Sequence, residues 1–286
     1  MNFDWQIAGH KKQLEFLENA MERGKLAHAY LFSGPQGVGK RLVALKMARL
    51  LLNEESQGRF NPDLLEVDGR AGVGIEQIRQ LIYKLSLKPY AAPYKVAVID
   101  FAENLTDEAQ NALLKTIEEP KPYTVIILIT SSPDRLLKTI VSRAQKINFG
   151  SVNFDDYQDL LPKKLSPEQK NLIKTFAWQK PGLALKIASD EEFLVVLAKL
   201  NGQLSTFLSS DTSQRLLLIN ELSEIETEEL GQTFDFWLNE LESQLLHNPD
   251  GKTANLIKQL IKARSLLDQS INTKLLLTNL MLNAYV

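Results

Sequence analysis

The sequence predicts an α/β P-loop fold built on a parallel sheet, followed by a part made of helices alone. Three observations predict it. A Gly-rich loop ending in Gly-Lys lies between a short apolar run and a helical period; two nearly continuous β-branched runs occupy 95–100 and 124–130; and strand signals fade after Phe149.

Residues 10–24 carry Leu14, Leu17 and Met21 at helical spacing, with Gly24 as a natural stop. Ala29–Phe32 form a short apolar run leading into Ser33-Gly34-Pro35, and Arg41–Leu52 resume a helical period, so the order is strand, Gly-rich loop, helix. Further strands are expected at 64–67, 95–100 and 124–130, the last two apolar enough to be buried on both faces. Between them Thr106 is placed to cap a helix, Asp107 and Glu108 suit its positive end, Ala109, Ala112, Leu113 and Ile117 share a face, and Pro120 ends it. Beyond Phe149, segments at about 166–178 and 181–189 read as one small bundle and the helices from about 191 onward as another. The polar, partly Ser-rich stretch from Gly202 to Ser213 is the expected neighbourhood of that boundary.

Composition bounds the function classes. With 286 residues, 33 Lys plus Arg, 35 Asp plus Glu and 44% hydrophobic residues, the chain is neither disordered nor fibrous, and its length suits two domains, or three if the later ones are small. There is no cysteine, so a disulfide framework, a thiolate zinc site and a cysteine nucleophile are excluded. Met1–Ala8 lack a basic n-region and an apolar h-region, and no later run approaches the roughly 18 apolar residues of a membrane span, so a cytoplasmic location without membrane contact is expected. Residues 1–150 carry 20 basic and 17 acidic side chains and residues 151–286 carry 13 and 18. Neither half has the strong positive excess that would by itself identify a nucleic-acid partner.

Gly34-Pro35-Gln36-Gly37-Val38-Gly39-Lys40 fits G-x-x-x-x-G-K at a strand-to-helix junction. Backbone N–H groups of such a loop wrap phosphate oxygens, the helix N-terminus adds a positive field, and the lysine reaches the outer phosphates, which makes Gly34, Gly37, Gly39 and Lys40 the candidate phosphate cradle. The next position breaks the pattern. A working loop places Ser or Thr there to ligate Mg²⁺, whereas Arg41 has five donors and no acceptor. Asp100, ending an apolar strand, is placed to orient metal-bound water. Active ATPases of this arrangement follow it with a glutamate that polarises the attacking water; here Phe101 and Ala102 intervene, so Glu103 is expected to point elsewhere. Two losses at one site lead to an expectation of weak or absent hydrolysis, with an active ATPase of unusual ligands as the alternative. The intact glycines and Lys40 leave room for weak ATP or ADP binding without Mg²⁺.

Gly9-His10, the run His28–Pro35, the run Asn111-Ala112-Leu113-Leu114-Lys115-Thr116-Ile117-Glu118-Glu119-Pro120 and the run Leu136–Arg143 resemble the AAA+ clamp-loader subunits of bacterial DNA polymerase III. The resemblance spans about residues 5–190, and beyond it the chain matches only in size and helical character. It implies a RecA-like AAA+ domain at 1–150, a helical lid at 151–203 and a C-terminal helical collar for oligomerisation at 204–286. It also implies one of five places in a ring that opens the sliding clamp and sets it on primed DNA when ATP binds. The implied partners are the delta and gamma/tau subunits and, through the complex, the beta clamp and primer-template DNA. The damaged phosphate site points to the delta-prime kind of subunit, which needs no cofactor of its own, with the hydrolysing gamma/tau motor kind as the alternative.

In that family a Ser-Arg-Cys motif supplies an arginine finger to the ATP of a neighbouring subunit, and here it reads Ser142-Arg143-Ala144. Only the guanidinium does electrostatic work on a γ-phosphate, so the resemblance makes Arg143 the catalytic candidate in trans, against the blander reading of a surface arginine at a helix end. The four cysteines that relatives often carry between the loop helix and the second strand are absent from Asn53–Asp63, so no zinc is expected. Leu183 stands near where active relatives place a phosphate-sensing arginine. Thr130 matches a polar sensor position or simply bonds into a turn. His10 and His28 are read as structural, and Trp178, Phe234, Phe236 and Trp237 as core or subunit contacts rather than base-stacking platforms.

Overall fold

The structure, a computed structural model, describes Phe3, Trp5 and residues 7–53, 61–208, 211–247, 249–267 and 272–283. Most of the cysteine-free stretch at 53–63 lies outside them. The chain divides into two compact units, Met1–Lys186 and Ile187–Val286.

In the first unit the elements run α1 (Lys11–Glu22), β1 (Ala29–Ser33), α2 (Lys40–Leu51), β2 (Leu64–Asp68), α3 (Ile75–Ser86), β3 (Lys95–Asp100), α4 (Asp107–Glu118), β4 (Thr124–Thr130), α5 (Lys138–Arg143), β5 (Gln145–Asn148), α6 (Pro167–Phe176) and α7 (Pro181–Ser189), which crosses into the second unit. The five strands form one parallel sheet in the order β2-β3-β4-β1-β5. The three central strands are buried along almost their whole length, as their apolar runs require, while β2 and β5 at the edges are largely accessible. Side chains alternate between two cores: Tyr30, Phe32, Val98 and Ile127 pack with α1 and α2, whereas Leu31, Ile99 and Leu128 pack with α3, α4 and α5. Thr106 Oγ1 accepts from the Ala109 N–H at 3.2 Å and caps α4 as its sequence position predicts.

This order places the loop after β1 across β4 from the end of β3. Ser33 and Thr130 are register partners, as are Ile99 and Leu128, so the phosphate loop, Asp100 and Thr130 meet at the carboxyl ends of the strands, where parallel sheets bind ligands.

The second unit is wholly helical among its described residues: α8 (Glu191–Leu208), α9 (Thr212–Ser223), α10 (Thr227–His247), α11 (Gly251–Leu267) and α12 (Thr273–Asn283). Phe207, Leu222, Leu230, Phe234, Trp237, Leu260 and Leu277 form its core, with Trp237 stacked on Phe207 at 4.8 Å. α8 runs without a break through 203/204, where the resemblance sets the limit between lid and collar. No helix among the described residues is long and apolar enough to cross a membrane.

Candidate functional site: a phosphate loop with its own ion pairs

The loop between β1 and α2 takes backbone conformations that only glycine adopts freely. Gly34 (φ +141°), Gly37 (φ +78°) and Gly39 (φ +103°) all lie in the positive region, and a Cβ on Gly34 would sit 2.0 Å from the Phe149 carbonyl oxygen. Five of the six carbonyls from Gly34 to Gly39 are hydrogen-bonded. Lys40 Nζ donates to Gly34 O (2.6 Å) and Pro35 O (2.7 Å), the Gly182 N–H to Gly37 O (2.9 Å) and the Val43 N–H to Gly39 O (3.1 Å). Nε2 of His10 bonds to Val38 O at 2.8 Å, and its ring packs edge-on against Phe149, a bracing role. Leu183 lies against the same loop, 3.1 Å from where a Gly37 Cβ would be.

A cleft of about 310 Å³ opens beside the loop, lined among others by Gly37, Gly39, Lys40, Arg41, Asp100, Glu103, Thr130 and Ser131. Four of the expected site residues after Gly34, namely Gly37, Gly39, Lys40 and Asp100, therefore converge, and Thr130 joins them. The Thr130 hydroxyl accepts from the Ser132 N–H at 2.9 Å, bonding into the turn after β4.

Arg41 bears directly on the metal that a P-loop site implies. Its Nη2 lies 2.8 Å from Glu66 Oε2 on β2 and its Nε 3.5 Å from Asp100 Oδ2. The carboxylate that would orient metal water faces a guanidinium, and the position that would supply a hydroxyl ligand supplies that guanidinium. These residues do not fit Mg²⁺. Burial pushes the Asp100 carboxyl above its ordinary value, opposed by the Phe101 N–H and by Arg41. Burial likewise pulls the Lys40 ammonium down to about 8, against the attraction of Glu103 and Asp100.

Glu103 corrects a sequence expectation. It does not point elsewhere but lines the cleft, and it is only 7% exposed. The cause is Phe101, whose left-handed backbone (φ +51°, ψ +47°) turns the chain back at the end of β3 into a 3₁₀ turn at Ala102–Asn104. That turn is held by Asn104, whose Nδ2 donates to Gly69 O (3.0 Å), while the Gly69 N–H donates to Asp100 O (3.0 Å). Glu103 Oε1 accepts from Ser131 Oγ (2.6 Å) and from the Ser131 N–H (3.0 Å), whereas its buried Oε2 has no hydrogen-bond partner. Burial raises the Glu103 carboxyl, but hydrogen bonding, chiefly from Ser131, outweighs it and holds it below its usual value. No residue-spacing rule would have placed it there, because the turn depends on one unusual dihedral.

Arg143 lies outside this cleft. It ends α5, with Nη2 2.9 Å from Glu118 Oε1 and Nη1 donating to Thr139 O at 3.3 Å, and both side chains of the pair are 42% exposed. Ala144 packs against the core beneath it. Trp178 stacks face to face on Phe154 at 4.4 Å, and Phe234 and Trp237 are core residues of the second unit.

A family model described as DNA polymerase III, delta subunit, matches residues 9–153. The DNA polymerase III subunit tau of Bacillus subtilis (strain 168) is 33% identical over 178 residues, which cover 57% of this chain and 32% of that protein. The DNA polymerase III subunit delta′ of the same organism is 30% identical over 203 residues, 65% of this chain and 61% of that one. The chain thus spans about a third of the tau relative and under two thirds of the delta′ relative. Among solved structures, a gamma-subunit-related protein of Thermotoga maritima aligns with 94% of this chain and 98% of its own at 22% identity, with a TM-score of 0.48.

Proposed function

The chain belongs to the DNA polymerase III delta-subunit family, the clamp-loader family that its Asn111–Pro120 run resembles, and from that membership we propose that it is a delta-prime-type subunit that does not hydrolyse ATP itself. In this reading it takes a fixed place in the clamp-loading ring with delta and gamma/tau subunits, presents Arg143 to the ATP of a neighbour, and through the assembly acts on the sliding clamp and primed DNA. The observation that carries it is the Arg41–Asp100 ion pair, which puts a cation without acceptors where the metal's ligands belong. The exposure of Arg143 supports the second half: a guanidinium tied by one surface ion pair can be redirected to a phosphate at little cost.

Two measurements test it. The purified chain releases no phosphate from ATP above background with Mg²⁺ present. In a reconstituted complex Arg143→Ala leaves assembly intact and lowers turnover at the site it serves by about 10³-fold, the lower end of what a finger supplied in trans contributes. Unchanged turnover in that variant removes the finger assignment.

A second reading, an active motor of the gamma/tau kind, draws on the tau match and on Glu103, a carboxylate facing the cleft. Magnesium-dependent phosphate release by the lone chain, abolished by Lys40→Ala, selects it.

A further inference from the structure

The cleft holds charges of both signs, and each has a counterpart in the chemistry that a phosphate loop ordinarily serves. Glu103 carries its carboxylate into the cleft from the strand end opposite the loop. One oxygen is anchored on Ser131 beside Thr130, and the other is buried without a hydrogen-bond partner. Lys40 and Glu103 line the same cleft and attract each other. In a P-loop site the group that this lysine reaches is an outer phosphate. Arg41, paired with Glu66 and with Asp100 at the mouth of the cleft, presents a positive charge where the divalent cation would balance Asp100.

We infer that the site is self-occupied: Glu103 supplies the negative charge of a terminal phosphate and Arg41 the positive charge of its metal, so that the folded chain keeps the phosphate loop in shape while excluding magnesium nucleotides.

Lys40 and Arg41 are balanced by Asp100 and Glu103, with Glu66 on the outer side of Arg41. A polyphosphate entering this cleft brings several further negative charges against a buried carboxylate, with no cation to accompany it. The metal cannot come with it, because its ligand position is a guanidinium. A site that had merely lost function would not need a buried carboxylate turned inward by a left-handed residue and anchored by two hydrogen bonds. The inference deepens the non-hydrolysing reading and rests on it, but the two fail separately.

The test is equilibrium binding of fluorescent ADP and ATP to the full chain, with Mg²⁺ and with EDTA, for the unaltered protein, Glu103→Gln, Arg41→Thr and the double variant. Glutamine keeps the shape and can still accept from Ser131, so Glu103→Gln removes charge alone. The expected result is weak binding by the unaltered chain in either condition and an affinity at least about tenfold higher in Glu103→Gln without metal. Arg41→Thr, which restores an acceptor, makes binding respond to Mg²⁺, and the double variant binds the magnesium nucleotide tightest. Glu103→Gln binding within twofold of the unaltered chain overturns the inference, as does tight magnesium-nucleotide binding by the unaltered chain. If a melt shows Glu103→Gln to be unfolded, Arg41→Thr decides alone, and no response to Mg²⁺ overturns it. Phosphate release in the same samples reads the functional proposal separately: hydrolysis by the unaltered chain sinks that proposal, whereas unchanged affinity in Glu103→Gln without hydrolysis sinks only self-occupation.

Discussion

The phosphate cleft and the Arg143 corner carry the same kinds of groups in opposite circumstances. In the cleft a buried Lys40 donates to the Gly34 and Pro35 carbonyls and faces a buried Glu103, while the neighbouring Arg41, itself more than half exposed, pairs with Glu66 and Asp100. At the corner, Arg143 meets Glu118 at a half-exposed surface, and a single further bond to Thr139 O holds it. Buried charges such as Lys40 and Glu103 are costly to strip of their partners, whereas a screened surface pair exchanges partners readily. Under the proposed function the difference teaches that a motif match need not mark the reacting group: Lys40 and Glu103 are engaged within their own chain, whereas Arg143, held by one screened pair, is the group proposed to serve a neighbour.

The largest effect that would break this contrast from the cleft side comes from Gly34→Ala. A Cβ 2.0 Å from Phe149 O at φ +141° forces the loop or β5 to move. A loss on the order of 3–5 kcal/mol is expected in urea unfolding. A loss below about 1 kcal/mol would mean that the loop is pliable and its geometry is not built in.

The middle of the scale is a pH effect on the same lysine. Folding lowers the Lys40 pKa from 10.5 to about 8, because burial disfavours the ammonium. Between those values the unfolded chain holds a proton that the folded chain has released, so stability rises with pH across that window. At about 1.36 kcal/mol per unit the gain is roughly 3 kcal/mol in total. Tyr30 and Tyr157, whose hydroxyls are raised by burial, the latter to about 12, act in the opposite direction above pH 10, so the rise is cleanest between pH 8 and 10. Urea unfolding at these pH values should show the slope in the unaltered chain and lose it in Lys40→Met.

Much of this frame was legible in the residues because it depends on short-range pattern. Val96–Ile99 and Val125–Ile129 can only be strands buried on both faces, Thr106 before two acidic residues can cap a helix, and the Gly spacing sets the loop. β5 was not legible, since a four-residue edge strand that buries only Ile147 looks like a loop. α3 carries its signal in Ile78, Leu81 and Leu85 at helical spacing. The site was harder. Glu103 depends on a left-handed phenylalanine that no local preference predicts, and the pairings of Arg41 with Glu66 and of Arg143 with Glu118 join residues 25 positions apart, so only the assembled sheet brings them together.

The smallest effect sharpens the comparison from the surface side. Glu118→Gln removes the carboxylate that holds Arg143 while leaving its bond to Thr139 O. Because both partners are 42% exposed, screening leaves the pair worth about 0.5 kcal/mol or less, and thermal unfolding should move by no more than about 2 °C. If Arg143 has the proposed finger role, freeing it of its partner leaves complex turnover unchanged or slightly raised. A stability loss near 2 kcal/mol would show that Glu118 and Arg143 form a structural clasp. The arginine would then be held by its own chain as firmly as Lys40 is, and the contrast between the two regions would collapse.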